Sequence, residues 1–351
     1  MQLDNLNIIK KRDKSNAIGV IANSYKQLSF EARVEQFTIP HHPINNVVLS
    51  GMGGSCLAGL ITKNWLDFNY DLSVPFEVIR DYCLPSYVNS NSLVICFSVS
   101  GNTEETLSSL DDAMKKRANV VVITGGGKLL DQAKVHNLPY IKLDKVTQPR
   151  YGILMHLRSI IRFINYYGLI HEDAFFELSN LEDNIKKYTI QLLPNKPIDQ
   201  NQAKQLALFC AGKTPLIYSS RLFRPLSYKW KTSFNENAKN IIWNNEFPEF
   251  NHNEFIGWTS HPINKPFAVI DFCSDLDNPK ITKRLKLSDK LLSGKRPKSY
   301  QAKLQGNSFI EQVINGAILG DLSSIYLGIL NGVDPTPVEL VEKFKFELNK
   351  K

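Results

Sequence analysis

The feature that most narrows the fold is a series of short apolar runs that do not alternate with polar residues. Val47-Val48-Leu49, Leu93-Val94-Ile95-Cys96-Phe97 and Val120-Val121-Val122-Ile123 are apolar at consecutive positions, and each soon gives way to glycines or hydroxyls. A strand with one wet face alternates, whereas a strand covered on both faces does not. Two further runs, Phe76-Glu77-Val78-Ile79 and Tyr140-Ile141-Lys142-Leu143, each follow a proline. Helical stretches over 103–116 and 129–135 lie between the runs, and strands alternating with helices predict βαβ units and a parallel sheet. An apolar helix is expected over 155–167 and a more polar one over 174–193.

The theme returns in the second half. Leu216-Ile217-Tyr218 and the run 267–273 read as strands, and 224–237 as a helix with mixed faces. A basic helix is expected over 281–292, a long apolar one over 308–330, and a terminal helix over 338–348 after Asp334-Pro335-Thr336-Pro337. A length of 351 residues suits two domains. They are placed at 1–170 and 196–351, with a linking helix over 171–195. The expected class is α/β, two doubly wound domains with parallel sheets flanked by helices, although no clean repeat proves a duplication.

Composition sets limits on function. Hydrophobic residues at 43% are enough for a packed core and exclude a disordered or fibrous chain. No unbroken apolar run approaches the ~20 residues of a membrane span, and the opening MQLDNLNIIKKRDKSN lacks the apolar core of a secretory signal. Cys56, Cys83, Cys96, Cys210 and Cys273 are odd in number and form no CxxC pair, which predicts free thiols in a reducing cytoplasm. No His/Cys/carboxylate cluster has metal-ligand spacing, so neither metal nor other cofactor is expected. The net charge of +8 is concentrated at 280–303, where nine Lys or Arg face the single acid Asp289. Without basic–aromatic interleaving or a helix-turn-helix this reads as a solvated face, not a nucleic-acid site. A mild positive balance favours an anionic substrate.

Two loops carry the chemistry. Ser50-Gly51-Met52-Gly53-Gly54-Ser55 lies between a strand and a helix beginning near Cys56. Its glycines allow close backbone approach, and a helix N-terminus favours an anion. It is neither GxGxxG nor a Walker A loop, since Cys56 takes the last glycine position and the lysine is missing. The second loop, Ser98-Val99-Ser100-Gly101-Asn102-Thr103-Glu104-Glu105-Thr106, places hydroxyls and a glycine at a strand's carboxyl end, where open α/β sheets bind ligands. Hydroxyls and amides together can surround a phosphomonoester, while Thr103 taken alone can equally be an ordinary N-cap.

These loops resemble the sugar-isomerase (SIS) domain. Gln148-Pro149-Arg150, the run Trp230-Lys231-Thr232-Ser233-Phe234-Asn235-Glu236-Asn237-Ala238-Lys239, the run Phe247-Pro248-Glu249-Phe250-Asn251-His252-Asn253-Glu254 and the ending Asp334-Pro335-Thr336-Pro337-Val338-Glu339 resemble the bifunctional phosphoglucose/phosphomannose isomerase family, in the family's order. The resemblance implies two SIS domains, a homodimer with shared active sites, and metal-independent interconversion of glucose, fructose and mannose 6-phosphates. It also implies site residues. Gly53, Gly54, Ser55, Ser98, Ser100 and Thr103 would hold the phosphate. Glu236 would be the base that moves a proton between C1 and C2. His252, reaching in from the neighbouring subunit, and Lys345 would open the sugar ring, with Lys343 an alternative to Lys345. Arg150 would stabilise the enediolate charge, and Thr336 would touch the sugar near C2. Outside that resemblance, Glu236 reads as a surface glutamate, Arg150 as a surface turn residue, and His252, like the pair His41-His42, as a loop histidine.

Three residues depart from the family pattern: Tyr151 in place of a small residue, Lys229 in place of an arginine and Phe250 in place of a leucine. The competing reading is a non-catalytic SIS-domain sugar-phosphate sensor. About 46 residues precede the first apolar run, with no helix-turn-helix among them, and a sensor has no need of Glu236, His252 and Lys345 together. A hexosamine-phosphate isomerase or synthase half is a further reading, but the segment NENAK is not its signature.

Overall fold

A computed structural model of the chain describes residues 2–37, 43–259, 266–348 and 350, so His41-His42 lies outside the described residues. The chain divides into two units: Asn23–Ile185, and the segment through Ala22 together with everything from Lys186 onward. This differs from the sequence division, which gave residues 1–170 to the first domain. Helices α1 (Leu6–Arg12) and α2 (Ala17–Ala22) bury Ile9, Ala17, Ile18 and Ile21. They belong with the second unit because Arg12 donates to the Ile329 carbonyl, and Asp4, just before α1, pairs with the buried Lys204 ammonium at 3.0 Å.

In the unit 23–185 the strands are β1 (Val34–Glu35), β2 (Asn46–Gly51), β3 (Phe76–Ile79), β4 (Ser92–Ser98), β5 (Asn119–Thr124) and β6 (Tyr140–Lys142). They are ordered β1-β6-β5-β4-β2-β3, parallel except for β1. Every residue of β2 and β4 is buried, as their unbroken apolar runs require. The helices are α3 (Gly53–Asn69), α4 (Glu104–Lys115), α5 (Gly127–Val135), α6 (Ile153–Tyr166) and α7 (Asp173–Asn180). The single helix expected over 174–193 is two, because α7 stops at Leu181 and α8 (Glu182–Ile190) restarts there. From β2 the chain goes first to β3 on one side and then to β4 on the other. The crevice between the carboxyl ends of β2 and β4 is therefore a topological switch point, where ligands of such sheets bind.

The second unit contains α9 (Gln202–Cys210), β7 (Thr214–Ser220), α10 (Arg224–Ala238), β8 (Trp243–Phe247), α11 (Glu254–Gly257), β9 (Phe267–Cys273), α12 (Pro279–Leu291), β10 (Tyr300–Lys303), α13 (Phe309–Leu330) and α14 (Glu339–Leu348). Its sheet, β10-β9-β7-β8, is wholly parallel and repeats the β5-β4-β2-β3 part of the first order, with β7 in the place of β2.

Helix α13 is long and apolar enough to cross a membrane by length and composition, yet it is buried inside this unit and carries Glu311, Gln312, Asn315 and Asp321 along it. Those polar residues are what broke its apolar run in the sequence. It packs against α10 through small residues. A Cβ on Gly316 would meet Leu226 at 2.6 Å, one on Gly320 the Trp230 indole at 2.4 Å, and one on Gly328 the Asn237 carbonyl at 2.7 Å. Trp230 Nε1 donates to the Gly316 carbonyl at 2.8 Å, and Asn237 donates to Ser324 at 2.9 Å. Lys229, fully buried, pairs with Asp321, and Ser233 donates to the same carboxylate at 2.6 Å. The lysine that departs from the family pattern is thus half of a buried pair, and removing one partner alone would cost about 3–5 kcal/mol.

Candidate functional site

At the first switch point the two sequence loops come together. Gly51 at the end of β2 stands opposite Phe97 of β4, so the loops that follow both strands open into one crevice. Helix α3 begins at Gly53, whose φ of +52° suits a residue without a Cβ. Its first-turn amides point toward that crevice, as helix N-termini do toward anions. Ser55 is buried in the same turn.

The hydroxyls of the second loop converge. Ser98 Oγ lies 2.8 Å from Thr103 Oγ1 and 3.4 Å from Ser100 Oγ, and it accepts the Gly101 N–H at 3.1 Å. Ser100 Oγ accepts the Asn102 N–H at 3.3 Å. Thr103 occupies the N-cap position of α4 but its side chain caps nothing there, because its hydroxyl is turned toward Ser98. Its hydroxyl therefore does not do the work of an ordinary N-cap. Gly101, at φ +69°, is fixed by crowding: a Cβ would stand 1.7 Å from the Gly126 carbonyl oxygen.

Arg150 adjoins this crevice. It sits in a short 3-10 turn, Pro149–Tyr151, and the Pro149 carbonyl is 3.1 Å from where a Gly54 Cβ would be. The guanidinium is buried, donates to Gln148 at 3.2 Å and lies 4.8 Å from the Tyr151 ring centroid. Arg150 is therefore no surface turn residue. Tyr151, itself buried, forms part of its wall.

His156 of α6 was not singled out by the sequence. Its ring is wholly buried, edge-on to Phe97 at 5.0 Å, and Nε2 would be 2.7 Å from a Cβ on Gly152. Neither ring nitrogen reaches a hydrogen-bond partner. Burial pushes its pKa down to about 3, only weakly opposed by the nearby Gly54 backbone, so the ring is neutral. The available signal was a lone histidine inside an apolar helix.

The second unit holds the remaining candidates. Glu236 lies in the last turn of α10, half-buried. Helix α10 starts after the carboxyl end of β7 and runs back, and Asn240 just beyond it donates to the Lys213 carbonyl, one residue ahead of β7, at 3.3 Å. Glu236 therefore stands toward the amino ends of the second sheet, away from its switch point. Thr336 is brought near it, because the Lys239 ammonium donates both to the Glu236 carbonyl at 2.8 Å and to the Pro335 carbonyl at 3.2 Å. Lys345 is exposed on α14, paired with Glu342 at 3.0 Å. Lys343 is exposed on the same helix.

His252 is not brought to Glu236 within this unit. In a parallel sheet, paired residues point to the same face. Ile217 pairs with Asn244 and Ile270, and Ser219 with Glu246. On that face α10 packs, with Ser227 Oγ 3.4 Å from Ser219 and accepting from Asn244 at 3.1 Å. Tyr218 pairs with Asn245 and Asp271 on the opposite face. There Glu254 accepts from Tyr218 and, at 2.6 Å, from Asn245, and the Phe250 ring lies 4.6 Å from that of Tyr218. His252 belongs to this segment and is exposed, on the far side of the sheet from α10. Among the described residues no group of three His, Cys, Asp or Glu is placed to hold a metal ion.

A model of the bacterial phospho-glucose isomerase C-terminal SIS domain matches residues 199–348. The bifunctional phosphoglucose/phosphomannose isomerase of Aquifex aeolicus (strain VF5) is 30% identical over 331 residues, which are 94% of this chain and 98% of that protein. The enzyme of the same name from Caldicellulosiruptor bescii is 33% identical over 314 residues, 87% and 90% of the two chains. The crystal structure of a glucose-6-phosphate isomerase like protein from Thermus thermophilus superposes with a TM-score of 0.63 at 17% identity, over 99% of each chain. That likeness is one of fold.

Proposed function

The chain belongs to the bifunctional phosphoglucose/phosphomannose isomerase family, and from that premise we propose how its residues divide the work. The enzyme is an aldose–ketose isomerase acting on glucose 6-phosphate and mannose 6-phosphate, with fructose 6-phosphate as the common ketose. The sensor reading is not favoured. The observation that carries the assignment is identity sustained across nearly the whole length of an isomerase.

The phosphate is bound by the Gly53 and Gly54 amides and by Ser55, Ser98, Ser100 and Thr103. Three hydroxyls already turned toward one another at a switch point support this. His252 and Lys345 exchange protons with the ring oxygen and the anomeric hydroxyl to open the sugar. Glu236 then takes the proton from C2 of the aldose, or from C1 of the ketose, and returns it to the other carbon, while the hydroxyl proton passes between O2 and O1. The intermediate is an enediolate whose negative charge develops on oxygen, and Arg150 stabilises it. Thr336 acts near C2, the carbon at which glucose and mannose differ.

The active enzyme is a homodimer in which His252 is supplied by the neighbouring chain. Two observations support this: Glu236 and His252 lie on opposite faces of one sheet, and α14 exposes Leu340, Val341, Phe344 and Leu348 along one face. The enzyme works in the cytoplasm, which suits five cysteines that are all free. Purified protein given fructose 6-phosphate is expected to form both glucose 6-phosphate and mannose 6-phosphate, detected separately. Glucose 6-phosphate alone would restrict the activity to phosphoglucose isomerisation, and neither product would overturn the assignment.

A further inference from the structure

We infer that Lys239 is a positioning residue for the proton transfer, an ammonium clamp that sets the end of α10, and with it Glu236, against the 334–337 segment that carries Thr336. The inference rests on Glu236 being the base.

A helix leaves its last carbonyls without partners, and residues with positive φ that end helices are usually glycine or asparagine. Here the position is a lysine at φ +51°, whose backbone N–H closes the helix on the Phe234 carbonyl. Its side chain folds back. An ammonium has three donors, and three carbonyls accept from it: Glu236 at 2.8 Å, Asp334 at 2.7 Å and Pro335 at 3.2 Å. A lysine that merely complemented the helix dipole would need only the first. The other two belong to a segment 95 and 96 residues further along the chain.

The clamp does not stand alone. Asn331 donates to the Ala238 carbonyl at 3.1 Å, and the Asp334 carboxylate accepts the Thr336 N–H at 3.0 Å. One nitrogen thus fixes the backbone that bears the base relative to the backbone that bears Thr336. A small misplacement of a base relative to the carbon it serves lowers turnover far more than it lowers substrate binding. Charge alone is not the point, since the donors are aimed at carbonyls. Arginine, with a planar fork, would satisfy part of the set.

The test uses the full-length enzyme and fructose 6-phosphate. Lys239→Met is expected to lower kcat roughly 10–100-fold while KM stays within about threefold, and to change the ratio of glucose 6-phosphate to mannose 6-phosphate formed. Lys239→Arg should recover part of the lost kcat. Asn331→Ala, which cuts the neighbouring link to the same helix end, calibrates loosening of the fold through its Tm. A kcat in Lys239→Met equal to the parent's would overturn the inference. So would a loss that Asn331→Ala reproduces at equal Tm with an unchanged product ratio. Should Lys239→Met not fold, Lys239→Gln, which keeps an N–H donor, serves the same comparison. Glu236→Gln run alongside separates the two ideas: if it turns over normally the assignment of the base fails, and if it is inactive while Lys239→Met is not, only the clamp fails.

Discussion

The two sheets share one strand order, yet the crevices at their switch points are built from opposite chemistry. In the first, glycines and neutral hydroxyls face the opening, and Ser100 is exposed. In the second, Ser220 ends β7 and Arg221 follows it, and Ser274, Asp275 and Asp277 follow β9. Ser274 and Asp275 are engaged by α13: Ser274 donates to Gln312 at 2.7 Å and Gln312 donates to Asp275 at 2.7 Å, while nearby Arg224 meets Glu246 at 3.4 Å. Asp277 is buried beside Ser220, and burial raises its pKa. The first crevice therefore presents neutral donors, while the turn after β9 presents carboxylates. Repeating a topology therefore repeats the location of a crevice without its side chains. In the second unit the residue proposed as the base lies at the far end of a helix.

The sharpest break of this contrast is expected at Glu236. Glu236→Gln keeps the shape and removes the base, so kcat should fall by about three orders of magnitude or more, with KM little changed. Deuterium from solvent should also stop entering C2 of glucose 6-phosphate. Near-normal exchange would move the proton transfer to another group.

Next in size is the difference between the crevices themselves. Ser100→Ala with Thr103→Ala should raise KM for sugar phosphates roughly 100-fold or more, as loss of two bonds to a charged group at about 1.5 kcal/mol or more each implies. Ser220→Ala with Ser274→Ala, at the second crevice, should leave KM where it was. Equal effects at both sites would erase the distinction.

A smaller effect sharpens the placement of His252. Mixed and exchanged chains of Glu236→Gln and His252→Ala should recover up to about a quarter of parental activity, since a two-fold dimer of the two variants holds one intact site. No recovery in a mixture shown to exchange would mean that each chain builds its own site.

The smallest expected effect concerns the neutral ring behind the first crevice. With the His156 pKa near 3 when folded and near 6.5 when unfolded, the unfolded chain binds the extra proton between those values. Stability from this group is therefore fully present above about pH 6.5 and lost as pH falls toward 3. Denaturation at pH 7.5 and pH 5 should show His156→Phe losing about 2 kcal/mol less than the parent.

How much of this was legible depended on burial. Strands β2 to β6 announced themselves because apolar side chains cover both of their faces or follow a proline. Strand β8, Trp-Asn-Asn-Glu-Phe, did not, since its side chains are spent on hydrogen bonds at an edge, and β10 at the other edge is equally polar. The hydroxyl loops were readable because they are local in sequence. The burial of Arg150 and the pairing of Lys229 with Asp321 were not, because each depends on a neighbour set by the tertiary fold. Lys239 was visible within its motif, but nothing local could say that it reaches residues 334 and 335. Nor could spacing show that the sixteen residues between Glu236 and His252 cross from one side of a sheet to the other.

The association of α1 and α2 with the second unit has a consequence for how the protein is made. Residues 23–185 form an uninterrupted insertion, available to fold as soon as that stretch has left the ribosome. The first two helices, synthesised before it, cannot settle until α13 appears some three hundred residues later. At about 5–20 residues per second this is a wait of roughly 15–60 seconds. During that interval Ile9, Ile18 and Ile21 have no home. A stretch made before the insertion is thus placed only after it, with the apolar faces of its two helices uncovered in the meantime.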